Sequence, residues 1–315
     1  MKRISILLAL VLSLSMLSAC GGNEPAANTG NPSSNPSADS QQAPDESAEQ
    51  TAGSGASKEE LSQTINTQPC LYCVDLAAAE ALRGAGIIPD AAAGFSLGEI
   101  AALTFAGVLS AEDGFRLVCK RAEFMEKATG ETGGGMAAVL KLTPEQVDEL
   151  CAGFDQVYPV NYNCPGQVSV AGEQSQLDEF CEKAAEAGAR VVPLAVSGAF
   201  HSPFMDKASG QMRDYIKEVP VHAPEIPVYS NFTASYYGAD AGEIRENIAM
   251  QINHPVRWQA ILEKLAADGF DTFVETGAGK TLCGLVKKTV KGAKIIHVED
   301  AATLEAALAE LKQEV

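Results

Sequence analysis

The chain has 315 residues, of which 46% are hydrophobic, and it carries 23 Lys and Arg against 41 Asp and Glu, a formal net charge of −18. This length and apolar content suffice for one sizeable core, or for a core with a small inserted subdomain. The acidic excess argues against a nucleic-acid partner, because binding to phosphate backbones depends on clustered Lys and Arg.

The first twenty residues are typical of an export signal. Lys2 and Arg3 precede an apolar run over residues 4–16, and small residues then lead to Leu-Ser-Ala-Cys20. A charged start, a short apolar stretch and small residues before a cleavage site predict a secretory signal peptide over residues 1–20. The last four residues resemble the lipobox of bacterial lipoproteins, which predicts lipidation of Cys20 and a membrane tether through it.

Residues 21–56 are rich in Ser, Ala, Asn, Pro, Gly and Gln and show no apolar periodicity. Such a segment cannot bury enough surface to offset its chain entropy, so it is predicted to be a disordered linker. The seven Cys beyond Cys20 are scattered and odd in number, unlike an exported disulfide framework. Cys70 and Cys73 have the spacing of a metal-binding pair but no second pair or nearby His, so no metal site is expected.

From Ser57 onward, helices and strands alternate. An apolar strand ends at Ala93 and is followed by helices over residues 99–105 and 111–128. After the glycines at 133–135 the predicted order becomes strand, helix, strand, strand, helix, strand, which is the ferredoxin-like βαββαβ unit. Alternation of strands and helices then resumes to the C-terminus.

This order predicts an α/β fold with a mostly parallel sheet. Its core is expected over residues 57–135 and 198–315. A ferredoxin-like subdomain is expected between them, over residues 136–197.

The segment Gly94-Phe-Ser-Leu-Gly98 fits the pattern G-x-S-x-G between an apolar strand and a helix. Small residues allow a sharp strand-to-helix turn, which presents the Ser96 hydroxyl at the helix N-terminus. There the N–H of Leu97 can donate to an oxyanion, and the helix dipole favours the developing negative charge. Ser96 is therefore the predicted nucleophile, with Leu97 as an oxyanion donor.

A Ser hydroxyl needs a base to act as a nucleophile, and the chain has only four His. His222 and His254 lie near Pro residues in loops, and His297 follows an apolar run, so a structural or surface role is expected for these three. His201 lies in a turn of small residues directly after the βαββαβ unit.

Five sequence motifs occur together, in a fixed order. They are GFSLGE at 94–99, Arg121, NYNCPGQ at 161–167, GAFHSP at 198–203 and QINHPVRW at 251–258. Together they resemble the malonyl-CoA:acyl carrier protein transacylases of fatty acid synthesis. The resemblance extends from about residue 57 to the C-terminus.

The resemblance implies an α/β-hydrolase-like core with a ferredoxin-like insert, and it implies a role for each matching residue. Ser96 would be acylated by malonyl-CoA, with His201 as base and then acid. The backbone carbonyl of Gln251 would orient His201. Arg121 would bind the malonyl carboxylate, for which a bidentate guanidinium is well suited. Phe200 resembles the malonyl-selective form of its motif, since a bulky ring leaves little room for an α-methyl branch.

The implied partners are malonyl-CoA, as substrate, and acyl carrier protein. No cofactor beyond that substrate is expected, and the chain is expected to be a monomer. The family implies a cytoplasmic enzyme, whereas the lipobox implies a membrane-anchored lipoprotein, so the two signals predict different locations.

The resemblance departs at the N-terminus. The family opens with a strand and a Phe-Pro-Gly-Gln-Gly-Ser-Gln loop, whose Gln supplies the second oxyanion-hole N–H, and no such motif occurs here. The predicted signal and linker occupy that place. The core is therefore expected to lack its first strand and one oxyanion donor, and transfer is expected to be impaired. Phe95 also stands where the family most often has His.

Two alternative functions fit parts of the sequence. An exported α/β-hydrolase-type esterase would combine Ser96 with Asp271 and His297, which follow it in the right chain order. A non-catalytic, tethered remnant of a transacylase would carry the motifs without the activity.

Overall fold

A computed structural model describes residues 3–8, 57–196 and 198–312. Its strands are β1 (Ile4–Leu8), β2 (Ala91–Gly94), β3 (Gly135–Leu140), β4 (Val157–Cys164), β5 (Gln167–Gly172), β6 (Arg190–Leu194), β7 (Val228–Tyr229), β8 (Thr272–Thr276) and β9 (Lys294–Val298). Its helices are α1 (Lys58–Ser62), α2 (Thr64–Gly84), α3 (Leu97–Phe105), α4 (Ala111–Thr132), α5 (Pro144–Cys151), α6 (Gln174–Glu186), α7 (Asp206–Tyr215), α8 (Ala241–Met250), α9 (Trp258–Ala267), α10 (Thr281–Thr289) and α11 (Ala301–Leu311).

The larger sheet has five parallel strands in the order β7-β2-β1-β8-β9. Successive side chains of a strand point to opposite faces, so β2 contributes Ala92 to one apolar cluster and Ala91 and Ala93 to another. Helices cover both faces, as a parallel sheet with two apolar faces requires. The carboxyl ends of its strands therefore meet at one edge, where Gly94 leads into the predicted nucleophile turn.

The smaller sheet has four antiparallel strands in the order β4-β5-β3-β6. With α5 and α6 it forms the βαββαβ unit, and a separate apolar cluster that includes Val139, Val170 and Phe180 lies within it. This is the strand order of a ferredoxin-like unit. The prediction of an α/β fold with a mostly parallel sheet and a ferredoxin-like insert is confirmed.

The centre of the larger sheet is occupied by residues that the sequence predicted to be part of a signal peptide. In β1, Ser5 pairs with Ala91 on one side and with Phe273 on the other, both in parallel register. Ser5 is fully buried, and the N–H of Ile4 donates to the Asp90 carboxylate at 2.9 Å. The expectation that the core lacks its first strand is therefore wrong.

The physical reason for the wrong prediction is that a short apolar run is compatible with two different structures. The hydrophobic stretch of a signal peptide and a parallel strand buried on both faces both appear as continuous apolar residues, with no alternation to separate them. The predictions for Cys20 and for the linker at 21–56 lie outside the described residues. None of the described helices is both long enough and apolar enough to cross a bilayer.

Because β1 pairs with a strand on each side, a proline within it should be strongly destabilising. Ile6→Pro removes a backbone donor from a central strand, and we expect it to lower the free energy of unfolding by roughly 3 kcal/mol or more. Urea unfolding followed by circular dichroism measures the effect. Ser34→Pro, in the predicted linker, is the matched control and should leave the midpoint unchanged. Equal midpoints for Ile6→Pro and the unaltered chain would contradict the central position of β1.

Candidate active site

The turn between β2 and α3 has the geometry that the G-x-S-x-G pattern predicts. Ser96 lies between strand and helix with φ 52° and ψ −109°, a backbone conformation that is strained for a residue with a Cβ atom. A Cβ atom on Gly94 would lie 1.9 Å from the carbonyl oxygen of Gly98, so only glycine permits this close approach. The turn places Ser96 at the start of α3, where it is almost fully buried.

Ser96 and His201 are in direct contact although they lie far apart in the sequence. The Ser96 Oγ is 2.7 Å from His201 Nε2, and His201 Nδ1 is 2.8 Å from the backbone carbonyl oxygen of Gln251. A carbonyl oxygen can only accept, so the imidazole proton lies on Nδ1 and Nε2 is left to accept from the Ser96 hydroxyl. The structure thus brings together the three residues that the sequence assigned to proton transfer.

The electrostatics of the site keep His201 neutral. Burial, and then the nearby positive charge of Arg121, lower the pKa of His201 from 6.5 to about 3. An imidazole with this pKa is unprotonated at neutral pH and can accept a proton.

Arg121 lies on α4 and points into the same site. Its Nη2 donates to the Ser96 Oγ at 3.2 Å and to the Gln251 Oε1 at 2.9 Å, and its Nη1 donates to the Gln68 Oε1 at 2.7 Å. Only 1% of the residue is exposed, and burial lowers its pKa to about 10. The Nε donor has no hydrogen-bond partner among the described residues. A buried cation with a free donor therefore lies against the nucleophile.

The other two predicted site residues flank the reacting pair. Leu97 is the first residue of α3, where backbone N–H groups have no acceptor within the helix, so its N–H is available at the position expected of an oxyanion donor. Phe200 immediately precedes His201 and is 7% exposed, packed in the main apolar cluster. The predicted lipidation site, Cys20, lies outside the described residues.

Four further side chains contact the site and were not predicted as site residues. They are Gln68, Glu99, Asn231 and Tyr237. Glu99 lies within the GFSLGE motif, but its role there was not inferred. Asn231 follows β7 at the carboxyl edge of the parallel sheet, the edge at which such folds place their ligands, so topology could have indicated it.

The buried carboxylate of Glu99 accepts hydrogen bonds from three residues. Its Oε2 accepts from the N–H of Asn231 and from the Nε2 of Gln251, both at 3.1 Å, and its Oε1 accepts from the Tyr237 hydroxyl. Burial raises the pKa of Glu99 from 4.5 to about 7, and these hydrogen bonds and Arg121 only partly oppose that increase. The site thus holds a carboxyl group that titrates near neutral pH.

The residues of the alternative esterase triad do not assemble. Asp271 immediately precedes β8, at the amino edge of the parallel sheet, whereas Ser96 lies at the carboxyl edge. His297 is within β9, with its Nε2 3.3 Å from Glu299. The Nε2 of His201 occupies the position beside the Ser96 hydroxyl that His297 would need.

Comparison with known proteins decides the family. Over 261 residues, 81% of this chain and 82% of the relative, the sequence is 39% identical to the malonyl CoA-acyl carrier protein transacylase of Bacillus subtilis (strain 168). The chain belongs to the malonyl CoA-acyl carrier protein transacylase family. A profile of the acyl transferase domain also matches residues 33–311.

Solved structures of other transacylases agree with this assignment. The acyl-carrier-protein S-malonyltransferase of Burkholderia pseudomallei 1710b superposes with a TM-score of 0.77 at 37% identity, covering 80% of this chain and 83% of that one. A malonyl-transacylase in complex with its type II PKS acyl-carrier protein superposes with a TM-score of 0.78 at 34% identity, covering 81% and 84%. The transacylase fold therefore accounts for most of the chain.

Titration of Glu99 should make the stability of this transacylase depend on pH. A raised pKa means that the folded protein binds the proton of Glu99 more tightly than the unfolded chain does. The stabilisation that comes from this bound proton is present below about pH 4.5 and is lost as pH rises through about 7. Glu99→Gln cannot titrate. From about pH 4.5 to about pH 8 it should therefore gain about 3 kcal/mol in unfolding free energy relative to the unaltered chain.

Urea unfolding at several pH values measures this difference. The same substitution at Glu149, an exposed residue of α5, controls for the loss of a charge. A difference between Glu99→Gln and the unaltered chain that stays constant across the pH range would show that Glu99 does not titrate there.

Proposed function

We propose that this chain moves the malonyl group from malonyl-CoA to the phosphopantetheine thiol of an acyl carrier protein, through an ester on Ser96. One observation carries the proposal: the Ser96 Oγ lies 2.7 Å from His201 Nε2 and 3.2 Å from Arg121 Nη2. A nucleophile, its base and a cation for the substrate carboxylate thus meet at a single oxygen.

In the first half-reaction, the Ser96 Oγ attacks the thioester carbonyl carbon while His201 Nε2 takes the hydroxyl proton. The N–H of Leu97 donates to the oxyanion that forms at the carbonyl oxygen. The carbon–sulfur bond then breaks, and His201 gives its proton to the departing sulfur. Coenzyme A leaves as a thiol, and a malonyl ester remains on Ser96.

In the second half-reaction, the carrier thiol gives its proton to His201 Nε2 and its sulfur attacks the ester carbonyl. The bond between the carbonyl carbon and the Ser96 oxygen breaks, and the proton returns from His201 to that oxygen. The hydrogen bond from His201 Nδ1 to the Gln251 carbonyl holds the imidazole in one orientation through both steps. Only this chain's side chains and the two thiols exchange protons.

Selectivity for a malonyl group is assigned to Arg121 and Phe200. The guanidinium is buried and already oriented by the Oε1 atoms of Gln68 and Gln251, so a substrate carboxylate meets a fixed fork of donors. In a site shielded from water, this charge pair is worth more than at a surface. The ring of Phe200, which precedes His201 in the chain and belongs to the main apolar cluster, would restrict the room for an α-methyl branch.

A cation-lined cavity supports an anionic carrier as the partner. A cavity of about 340 Å³ has Lys141, Arg190 and Lys288 among its ten lining residues, in a chain whose net charge is −18. Arg190 is the first residue of β6, and the strand ends at Leu194, seven residues before His201. We also propose a monomer as the working unit, since Ser96 contacts both His201 and Arg121 within one chain.

The central prediction is a malonyl ester on Ser96. Incubation of the full chain with malonyl-CoA should add one malonyl group, mapped by mass spectrometry of digested protein to the peptide that contains Ser96. Ser96→Ala should abolish the adduct, and His201→Ala should slow its formation by about a hundredfold or more, because general-base catalysis contributes that much. A folded chain that gains no adduct would overturn the proposed transfer and favour the non-catalytic remnant.

A second prediction concerns the carboxylate of the acyl group. Arg121→Ala should reduce malonyl transfer to Ser96 by about a hundredfold while sparing acetyl transfer, since loss of a buried charge-assisted pair costs about 3 kcal/mol. Single-turnover labelling with malonyl-CoA and acetyl-CoA measures both rates. Arg213→Ala, which removes a partly exposed Arg paired with Glu246, is the control. Equal losses with the two substrates would assign Arg121 a role in the fold instead.

For the location of the active chain, we propose that activity belongs to the form that keeps residues 1–20. Cleavage before Cys20 would remove β1. This strand pairs with β2 and β8 at the centre of the parallel sheet. A membrane tether through a lipidated Cys20 and an active core are then alternative fates of one chain. We therefore propose the cytoplasm as the location of the working transacylase, since malonyl-CoA and its carrier are expected there.

Fractionation of expressing cells tests this proposal. Intact-mass analysis identifies processed and unprocessed chain in each fraction, and transfer activity should follow the unprocessed form. Cys20→Ala removes the lipidation site, leaves β1 in place and should retain activity. Activity that resides in a lipidated, processed form would contradict the proposal.

A further inference from the structure

The side chain of Asn231 holds the backbone of the nucleophile turn. Its Oδ1 accepts from the N–H of Ser96, and its Nδ2 donates to the carbonyl oxygen of Gly94, both at 2.7 Å. These two backbone groups lie on either side of Phe95, where the chain leaves β2 and has not yet entered α3. A buried backbone group that leaves regular structure needs another partner, and one amide supplies it to both groups.

The turn needs such support because Ser96 adopts positive φ. A strained residue keeps its conformation only when the surrounding structure fixes it from several sides. The carbonyl oxygen of Ser96 is fixed as well, since it accepts from the Nε2 of Gln251 at 2.5 Å. Asn231 and Gln251 therefore fix the backbone N–H and C=O of the nucleophile, respectively.

The backbone of Asn231 is itself held by hydrogen bonds, through its N–H and through its carbonyl group. Its N–H donates to Glu99 Oε2 at 3.1 Å, and its carbonyl oxygen accepts from the N–H of Arg257 at 3.1 Å. The same Glu99 oxygen accepts from Gln251 Nε2, and the backbone carbonyl of Gln251 orients His201. The buried carboxyl group of Glu99 thus contacts both Asn231, which holds the turn of the nucleophile, and Gln251, which orients the base.

We propose that Asn231 is a positioning residue for the nucleophile, fixed by Glu99 so that the Ser96 hydroxyl stays aligned with His201. This inference rests on the proposed function, in which Ser96 and His201 perform the transfer. Asn231 itself contacts the backbone of the turn and no reacting atom, so its effect is on the alignment of Oγ with Nε2. A displacement of about 1 Å at such a site can reduce a rate by about a hundredfold.

The test measures Ser96 reactivity with two probes in the full chain. Malonyl-CoA at saturation gives the single-turnover acylation rate. An alkyl fluorophosphonate, which phosphonylates an activated Ser with loss of fluoride and carries no carboxylate, reports the nucleophile without Arg121. Asn231→Ala should slow both reactions by about a hundredfold and leave the KM for malonyl-CoA unchanged.

Two controls separate positioning from general destabilisation. Ser209→Ala removes a buried hydrogen bond to the Ala249 carbonyl, between α7 and α8, and should not slow either reaction. Glu99→Gln keeps an oxygen that can accept from Asn231, whereas Glu99→Ala does not, so Glu99→Gln should lose less activity than Glu99→Ala with both probes. This second pair decides the question even if Asn231→Ala fails to fold.

The outcomes distinguish the two levels of inference. If the unaltered chain reacts with neither probe, the proposed function is overturned, and the positioning role with it. If the unaltered chain reacts but Asn231→Ala keeps both rates, or raises only the KM for malonyl-CoA, the positioning role alone is overturned. Equal losses in Asn231→Ala and Ser209→Ala, or in the two Glu99 variants, would also overturn it. A parallel hundredfold loss with both probes would establish it.

Discussion

The left-handed backbone of Ser96 is the constraint on which the rest of the site depends. A side chain at positive φ is unfavourable, and His201, its partner in the proposed proton transfer, also has positive φ. Gly94 allows the strand to approach α3 at a distance that no other residue permits. The parallel sheet supplies the edge on which this turn is built, so the position of the hydroxyl follows from the fold rather than from the turn by itself.

Burial determines the charge state of the groups around that hydroxyl. Removal from water keeps His201 unprotonated, and it brings Glu99 to a pKa of about 7. Arg121 keeps its charge in the same environment because its pKa stays at about 10. A buried cation without a fully ionised partner is electrostatically incomplete, and a malonyl carboxylate would complete it. The charge of the site thus supports the proposed transfer of a dicarboxylic acyl group.

The central strand shows how one sequence pattern can serve two structures. Ile4–Leu8 fits the hydrophobic stretch of an export signal, and it also pairs with β2 and β8 in the middle of the sheet. In an export signal these residues would act before the chain folds, whereas in the sheet they form a strand after it has folded. Because a cleaved segment cannot also be a strand, the same residues connect the location of the chain to the integrity of its core.

Local patterns in the sequence were sufficient for much of this protein. The order of strands and helices identified both sheets, and the motifs around Ser96 and His201 carry short-range information about turns. Arg121 and Gln251 were inferred from family resemblance, and the structure places both against the nucleophile. The turn at Ser96 and the ferredoxin-like insert could be predicted locally because a G-x-S-x-G turn and a βαββαβ unit have strict local requirements.

Only the tertiary structure decided which distant residues complete the site. Asn231 contacts the turn from 135 residues away along the chain, and Glu99 meets Gln251 across a separation of 152. The role of β1 was decided in the same way, by pairing with strands more than eighty residues distant. From the sequence alone, a carboxyl or amide side chain that will be buried cannot be distinguished from any other polar residue. Its partners, and hence its pKa and its role, exist only once folding has removed it from water.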